Sequence, residues 1–372
     1  MASEVRVGRE PLQEFAREVF IKLGMPPEGA EAEAAEMIWA NLRGVDSHGV
    51  LLIPLYMEWV AKGVMNPRPN IQVLKETPAT LYVEADRAFG PVVTVFTVKR
   101  ALEKAKQVGV CWAAIRNTTH QGAMGYYTLM AAEQDMAGII WVCNPPNMAP
   151  FGARAAGIHN SPIAITVPAK RHQPLILDMA TSMAAAGKIT LALDKGIPIP
   201  QGWALDNDGN PTTDPKLAGI LLPFGSAKGS GLSMMFECLS SVMMGNPMLG
   251  PVLHGREPGP PLKEAKEVEL IGDRPAHSRI RHIQNSVFIA VDIGQFTDVE
   301  KYKEDIDEMI DGIKALPRAD GFNEIFVPGE PEYRTYQERS RNGIPLPVRT
   351  VENLRGVAER LSIKLPPALE AA

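Results

Sequence analysis

The chain has 372 residues, a formal net charge of −5 and 45% hydrophobic residues, an ordinary globular composition with length for one large core or two domains, and not that of a disordered chain. Lysines and arginines are scattered rather than clustered, which excludes a basic stripe for nucleic acid. No run approaches the about 18 uninterrupted apolar residues of a membrane span.

Leu12, Phe15, Val19, Phe20 and Leu23 recur at helical spacing, and Gly24 with Pro26–Pro27 ends that helix. A second helix from Glu28 to about Leu42 delivers the chain to a polar turn over residues 43–49, and a third follows Pro54 and stops at Gly63. Short β segments follow at Ile71–Leu74 and Thr80–Val83, then a helix over Val92–Val108. Val110–Ile115 and Gly138–Val142 read as buried strands, with helical pattern at Gly125–Asp135 between them. Ile163–Val167 and Leu175–Leu177 bracket the polar run Lys170–Arg171–His172–Gln173 as a hairpin. Helices are expected at Thr181–Leu193, Gly229–Met244, Val299–Ile313 and Val351–Leu361, with a strand at Val287–Asp292. Pro247–Ser278, dense in Gly, Pro and charge, reads as a surface excursion. The mix is α/β without the regular alternation of a doubly wound sheet. The GxGxxG fingerprint of a Rossmann nucleotide site is absent.

The N-terminal stretch is amphipathic and charged, with no apolar signal core. Three cysteines, Cys111, Cys143 and Cys238, are far apart and odd in number. They predict no disulfide framework and no metal site, and a reducing, cytoplasmic compartment.

Several polar turns carry chemistry. His48 sits in the break between two helices, flanked by Asp46, Ser47 and Gly49. An imidazole titrates near neutrality and suits proton transfer; equally, Asp46 or Ser47 could cap the next helix. His120 stands in a small-residue turn between a strand and a helix, where a ligand has room and backbone donors are free. Asp178 lies at a strand end, followed by Met179, Ala180, Thr181 and Ser182 at a helix mouth, where a cap and a cofactor contact are both compatible with the residues. Gly225, Lys228 and Gly229 open a helix and suit a diphosphate, although the spacing is not that of a Walker loop. Asn144, at a strand end before a proline, is a further cofactor contact or an ordinary turn residue.

Five stretches, in order, resemble the malate/L-lactate dehydrogenase family, the non-Rossmann group that also includes ureidoglycolate, sulfolactate and diketogulonate enzymes. They are residues 43–50 (RGVDSHGV), 117–127 (NTTHQGAMGYY), 177–182 (LDMATS) leading to Gly187–Lys188, 221–229 (LLPFGSAKG) and 327–332 (VPGEPE). The resemblance implies a homodimer of two-domain subunits with a largely antiparallel cofactor sheet. It implies NAD or NADP as cofactor and hydride transfer between it and a 2-oxo or 2-hydroxy acid, or a cyclic imino acid. Residues 1–115 with 300–372 would form the substrate and dimerisation domain, and residues 116–299 the NAD(P)-binding domain. Ser47, His48, His120 and Asp178 would be the catalytic set, either imidazole carrying the proton. Gly329, Glu330 and Pro331 match a late segment that closes over the cofactor in relatives, and are otherwise a turn. Relatives commonly carry an arginine in the pattern His-Gly-Val-x-Arg to clamp a substrate carboxylate, and here Leu52 stands there. Arg43 or Arg116 would then take the carboxylate, or the substrate is a larger, more apolar alcohol. A catalytically retired cofactor-binding protein is the reading from another class. Lys170, Arg171 and His172 lean towards a 2′-phosphate and NADP.

Overall fold

The computed structural model describes residues 4–253 and 282–370. Most of the expected excursion at 247–278 lies outside the described residues. The chain opens with strand β1 (Val5–Val7), which pairs antiparallel with β12 (Ile344–Leu346) and ties the two ends together. Helices α1 (Arg9–Lys22), α2 (Pro27–Leu42) and α3 (Ile53–Ala61) follow, with two 3-10 turns, Asp46–His48 and Val50–Leu52, between the last two. Leu12, Phe15, Val19 and Phe20 of α1 are buried against Ala34, Met37 and Ile38 of α2. Val351, Leu354 and Val357 of the late helix α11 (Val348–Leu361) join the same core. The i, i+3, i+4 spacing of these residues is what makes one stripe of each helix apolar.

The second core surrounds a seven-stranded sheet. Strands β2 (Gln72–Thr77) and β3 (Thr80–Glu84) lead through helix α4 (Gly90–Val108) to β4 (Val110–Thr118). Helix α5 (Gly125–Ala132), then β5 (Met136–Cys143), β6 (Ile163–Val167) and β7 (Leu175–Met179) follow. The late strand β11 (Gln284–Asp292) inserts between β4 and β5, giving the order β2-β3-β4-β11-β5-β6-β7. Only β3 and β4, joined through α4, run parallel; every other neighbouring pair is antiparallel. Side chains alternate between faces. Cys111, Ala113, Ile115, Ile140, Val142 and Phe288 pack with α4 and α5, whereas Ala114, Trp141, Cys143 and Val287 pack with Phe236 on the other side. The expected division at residues 115/116 falls inside β4.

Helix α6 (Ala186–Lys195) precedes a small sheet of β8 (Ala204–Leu205), β9 (Pro211–Thr212) and β10 (Ile220–Leu221). Helix α7 (Ala227–Glu237) continues into a π-helical turn, Cys238–Val242, and a short α8 (Leu249–Leu253) follows. Helices α9 (Val299–Lys314), α10 (Glu330–Asn342) and α12 (Pro367–Glu370) complete the chain. Three differences from the sequence reading have local causes. The helix expected from Thr181 starts at Ala186, because residues 180–183 are drawn into β-like bonds, Ser182 bridging Pro223 and Met183 N–H donating to the Leu222 carbonyl. The helix expected to reach Met244 as α stops at Glu237, where the π turn begins. Gly329–Glu330–Pro331 is no simple turn but the start of α10, whose lack of any buried residue hides it from periodicity. Among the described residues no helix is long and apolar enough to cross a membrane.

Candidate active site

After α2 the chain reverses at Gly44 (φ +79°) and enters the turn carrying His48. This turn is pinned from two sides. Arg339 of α10 grips Asp46 with both guanidinium nitrogens, at 2.7 and 3.0 Å, and Asn41 donates to Asp46 at 2.7 Å. The Asn41 side-chain oxygen accepts from Val50 N–H at 2.9 Å. A Cβ at Gly49 would lie 2.2 Å from that oxygen, so glycine is required there. Asp46 is thus an anchor of the loop and caps no helix. Ser47 Oγ hydrogen-bonds His48 Nδ1 at 2.9 Å.

His120 is held with similar closeness. It follows β4, and a Cβ at Gly90 would sit 2.3 Å from the His120 carbonyl oxygen. Tyr127 donates to the Gln121 carbonyl at 2.5 Å, and Gln121 bonds Thr94 and Ser286. Gly122 (φ +69°) passes against the buried Glu36 carboxyl group, which accepts from Ala123 N–H at 2.6 Å. The Tyr56 hydroxyl lies 2.6 Å from His120 Nδ1. The His48 and His120 rings stack, centroids 5.2 Å apart and planes 28° from parallel.

Burial pushes His48 down to about 4 and His120 to about 3, the second helped by its neighbours His48 and His282. Both residues are closely surrounded by protein yet keep some solvent-accessible surface. Burial pushes the Tyr56 hydroxyl well above its ordinary range, so it stays a neutral hydroxyl, able to accept from Nδ1–H or to donate to a bare Nδ1 according to the His120 tautomer. Each imidazole therefore has Nδ1 engaged by a hydroxyl, leaving Nε2 for a reacting group.

His282, which no motif singles out in the sequence, belongs to the same surroundings. Its ring stacks on Trp59, centroids 4.1 Å apart, and Trp59 neighbours Tyr56 at 5.7 Å. Leu52, Tyr56 and Trp59 follow at i, i+4 and i+7, one side of α3 and its leading turn.

The motifs after β7 gather beside the opening of α7. Thr181 N–H donates to the Asn160 carbonyl at 2.8 Å, and the Thr181 carbonyl accepts from Phe224 N–H at 3.0 Å. A Cβ at Gly229 would meet the Thr181 carbonyl oxygen at 2.5 Å and that of Phe224 at 2.7 Å. Gly225 and Ser226 both have positive φ, and Lys228 is exposed at the first turn of α7. The Thr181 hydroxyl is buried with no hydrogen-bond partner. Ser182 Oγ donates to the Ala184 carbonyl, so neither Thr181 nor Ser182 caps α6. A Cβ on Gly187 would lie 3.0 Å from Ser47 Cβ, so the start of α6 abuts the His48 turn. Among the described residues the Asn144 side chain makes a local bond, to the Pro145 carbonyl at 3.0 Å.

Asp178 and Met179 end β7, opposite Ala164 and Ile163, with Ala180 leading into Thr181. Asp178 Oδ2 accepts from Gly125 N–H at 2.7 Å, and burial raises its pKa to about 6 against that bond and the charge of Arg43. It faces Gly125 and Arg43 rather than an imidazole. Arg43 donates to the Gly329 carbonyl at 3.2 Å and lies over Trp39 at 5.0 Å. Gly329 (φ +84°) packs on Ile176, the Glu330 carboxylate is bonded by Lys314 and Arg334 at 2.7 Å each, and Pro331 occupies the first turn of α10. Arg116 is committed to Glu84 at 2.5 Å and to the Tyr82 ring. Lys170, Arg171 and His172 each pair with carboxylates of α9.

Away from the paired histidines, Cys143, His159 and Glu237 bring three potential metal ligands within 4.8 Å, all buried. They already form a bonded network. His159 Nε2 meets Glu237 at 3.3 Å, Glu237 accepts from Met248 and Leu249 N–H, and Cys143 lies 3.0 Å from Ser240 Oγ. Burial opposes its charge, but Cys143 and Glu237 raise His159 to about 9.

The chain thus combines a largely antiparallel sheet, a stacked histidine pair on the turns after α2 and β4, and a glycine-lined helix start. The family model for malate/L-lactate dehydrogenase matches residues 7–355, and the chain belongs to that family. It is 34% identical to the malate dehydrogenase of Pyrococcus horikoshii, over 97% of this chain and 96% of that one. Identity to the L-sulfolactate dehydrogenase of Methanocaldococcus jannaschii is 37%, over 95% and 96% of the two chains. Ureidoglycolate dehydrogenase (NAD(+)) of Escherichia coli K12 is 28% identical, over 92% and 93%. Among solved structures, the Methanocaldococcus jannaschii sulfolactate dehydrogenase superposes with a TM-score of 0.83 at 36% identity, covering 98% of this chain and 99% of that one. The delta1-piperideine-2-carboxylate reductase of Pseudomonas syringae pv. tomato does so with 0.78 at 26% identity, covering 95% and 99%. The chain is accordingly an enzyme of the nicotinamide-dependent dehydrogenase class, with NAD or NADP as its cofactor.

Proposed function

We propose that the protein interconverts a 2-oxo acid and its 2-hydroxy acid, or reduces a cyclic imino acid, with His120 as proton donor and acceptor and His48 beside it. The observation that carries this reading is the stacked His48–His120 pair with each Nδ1 engaged by a hydroxyl. Its family includes relatives named for malate, sulfolactate and ureidoglycolate, and a solved neighbour named for an imino acid.

The residues fit a dinucleotide. Gly225, Lys228 and Gly229 at the opening of α7 would hold its diphosphate, with the exposed Lys228 supplying the charge and the glycines the room, since the Lys228 and Gly229 amides already donate to the Gly225 and Phe224 carbonyls; the unpartnered Thr181 hydroxyl and the Met179–Ser182 segment lie alongside. Asn144, Asp178 and the Gly329–Pro331 segment would flank it. When bound, the nicotinamide exchanges hydride with the substrate carbon. In oxidation, neutral His120, in the tautomer whose Nδ1–H donates to the Tyr56 oxygen, takes the substrate hydroxyl proton at Nε2. In reduction it must first be protonated, and a substrate anion beside it favours that form. Gly187 against Ser47 brings the dinucleotide segment beside the imidazoles.

Leu52, with exposed Leu51 and Leu55 beside it, favours a second reading within the same chemistry, a larger and more apolar alcohol or oxo acid. We also propose the two-domain division around the cofactor sheet, a cytoplasmic setting for three free cysteines, and a homodimer. The exposed strip Met234, Met235, Leu239, Val242 and Met243 supports the dimer, which light scattering checks.

The test follows NADH and NADPH oxidation with 2-oxo acids of small, branched and aromatic side chain, and with cyclic imino acids, alongside His48→Ala and His120→Ala. Turnover lost in His120→Ala supports the reading. Cofactor binding without turnover of any substrate would indicate a retired enzyme, and no binding of either cofactor defeats the reading.

A further inference from the structure

We propose that His282 is a substrate-contacting residue, donating a hydrogen bond to the carboxylate of the 2-oxo acid. This rests on the function proposed above and names a group that binds the substrate's charged end. Ring contacts run from the imidazole pair to His282 without a gap. His48 stacks on His120 at 5.2 Å, His120 neighbours Tyr56 at 6.1 Å, Tyr56 neighbours Trp59 at 5.7 Å, and Trp59 stacks on His282 at 4.1 Å. His282 is also close enough to His120 to lower its pKa.

Lys62, one turn beyond Trp59 at the end of α3, is paired with Glu58. Arg43, Arg116 and Arg339 are committed to Gly329, Glu84 and Asp46. A carboxylate beside the imidazoles still needs donors, since losing its water without replacement is costly. His282 has them. Its ring nitrogens have no hydrogen-bond partner among the described residues, and its side chain is exposed although protein surrounds most of it. Stacked face to face with the Trp59 indole at 23°, the imidazole presents both nitrogens at its rim, clear of the indole. The partly enclosed ring is held below the usual histidine pKa by desolvation. An anion beside it reverses that preference and lets both nitrogens donate.

Calorimetric titration with oxalate, a carboxylate probe shaped like a 2-oxo acid, tests this on the protein saturated with NADH and, separately, NADPH. His282→Phe keeps the stack and removes the donors, whereas His282→Gln keeps a donor. The dissociation constant for oxalate is expected to rise roughly tenfold or more in His282→Phe and to recover largely in His282→Gln. In turnover, KM for the 2-oxo acid should rise by a similar factor while kcat stays within about twofold, and KM for the matching 2-oxo amide should not respond. Oxalate constants that agree across the three proteins, equal losses for acid and amide, or no oxalate binding to the wild type at millimolar concentration would each overturn the proposal. A wild type that binds oxalate through His282 but oxidises no cofactor would overturn the catalytic reading and leave this site standing.

Discussion

The Tyr56 hydroxyl and His120 Nδ1 share a hydrogen bond of 2.6 Å, joining helix α3 to the turn after β4. Tyr56 is fully buried, and no other partner for its hydroxyl is seen among the described residues. The bond therefore fixes the ring plane of His120, and with Nδ1–H as its donor it leaves the Nε2 lone pair to act as base. In Tyr56→Phe that constraint goes while the apolar packing stays. We expect kcat to fall roughly 10- to 100-fold with little change in cofactor affinity, from the 10²–10⁴-fold range of positioned acid–base groups. Stopped-flow measurement of cofactor oxidation checks it, and an unchanged kcat would remove Tyr56 from the proton path.

The depressed histidines set the direction of the pH dependence. With His48 near 4 and His120 near 3 in the free protein, the neutral base is present throughout the neutral range. In the oxidation direction kcat/KM should stay level from neutrality down to about pH 5 and fall below it. In the reduction direction it should decline as pH rises. Stability follows by linkage: the unfolded histidines bind protons below about 6.5 and the folded ones do not until much lower, so stability drops as pH falls through that window. A kcat/KM profile in the oxidation direction breaking near pH 7 would contradict the assignment.

Gly229 is a steric test of the cofactor cradle. Its Cβ would intrude to 2.5 Å on the Thr181 carbonyl and 2.7 Å on that of Phe224, both backbone atoms that cannot swing away. Gly229→Ala should weaken NAD(P)H binding roughly tenfold or more, equivalent to about 1.4 kcal/mol, measured by cofactor fluorescence. Equal affinity would place the dinucleotide elsewhere.

Buried Glu33 has one carboxylate oxygen without a partner, and burial raises it to about 8. The unfolded carboxyl loses its proton near 4.3, so this residue takes stability away as pH rises from there towards 8. Glu33→Gln should raise the melting temperature more at pH 8 than at pH 5. A gain that is equal at both would show the carboxyl is not the cause.

The His159–Glu237 pair ties the loop after β5 to α7. Glu237→Gln leaves a buried imidazolium without its counter-charge and should cost about 3–5 kcal/mol by denaturant unfolding. His159 is raised to about 9 when folded, so its contribution is complete below about 6.5 and is lost as pH rises through 9. A loss under 1 kcal/mol, as for about the median surface pair, would mean the pair is not charged in the fold.

Helical spacing such as Leu12, Phe15, Val19, or the hairpin around Lys170, was legible in the sequence because burial on one face imposes a local period. So were the glycines at 49, 122, 225 and 229, whose turns then proved tight. Helix α10 was not legible, since none of its residues is buried and it has no stripe to read. The start of α6 was misplaced because a cap-like Thr181–Ser182 was taken into bonds with a segment forty residues away.

What the sequence by itself determined was the family, the absence of a Rossmann site and the identity of the two motif histidines, all of which reside in contiguous runs. Only the tertiary structure decided that Arg339 holds Asp46, that Tyr56 takes His120 Nδ1, and that His282 lies over Trp59. Those pairs are far apart along the chain, and their meeting follows from how α3, α10 and the start of β11 pack on two separate cores. A short-range pattern carries no record of that packing.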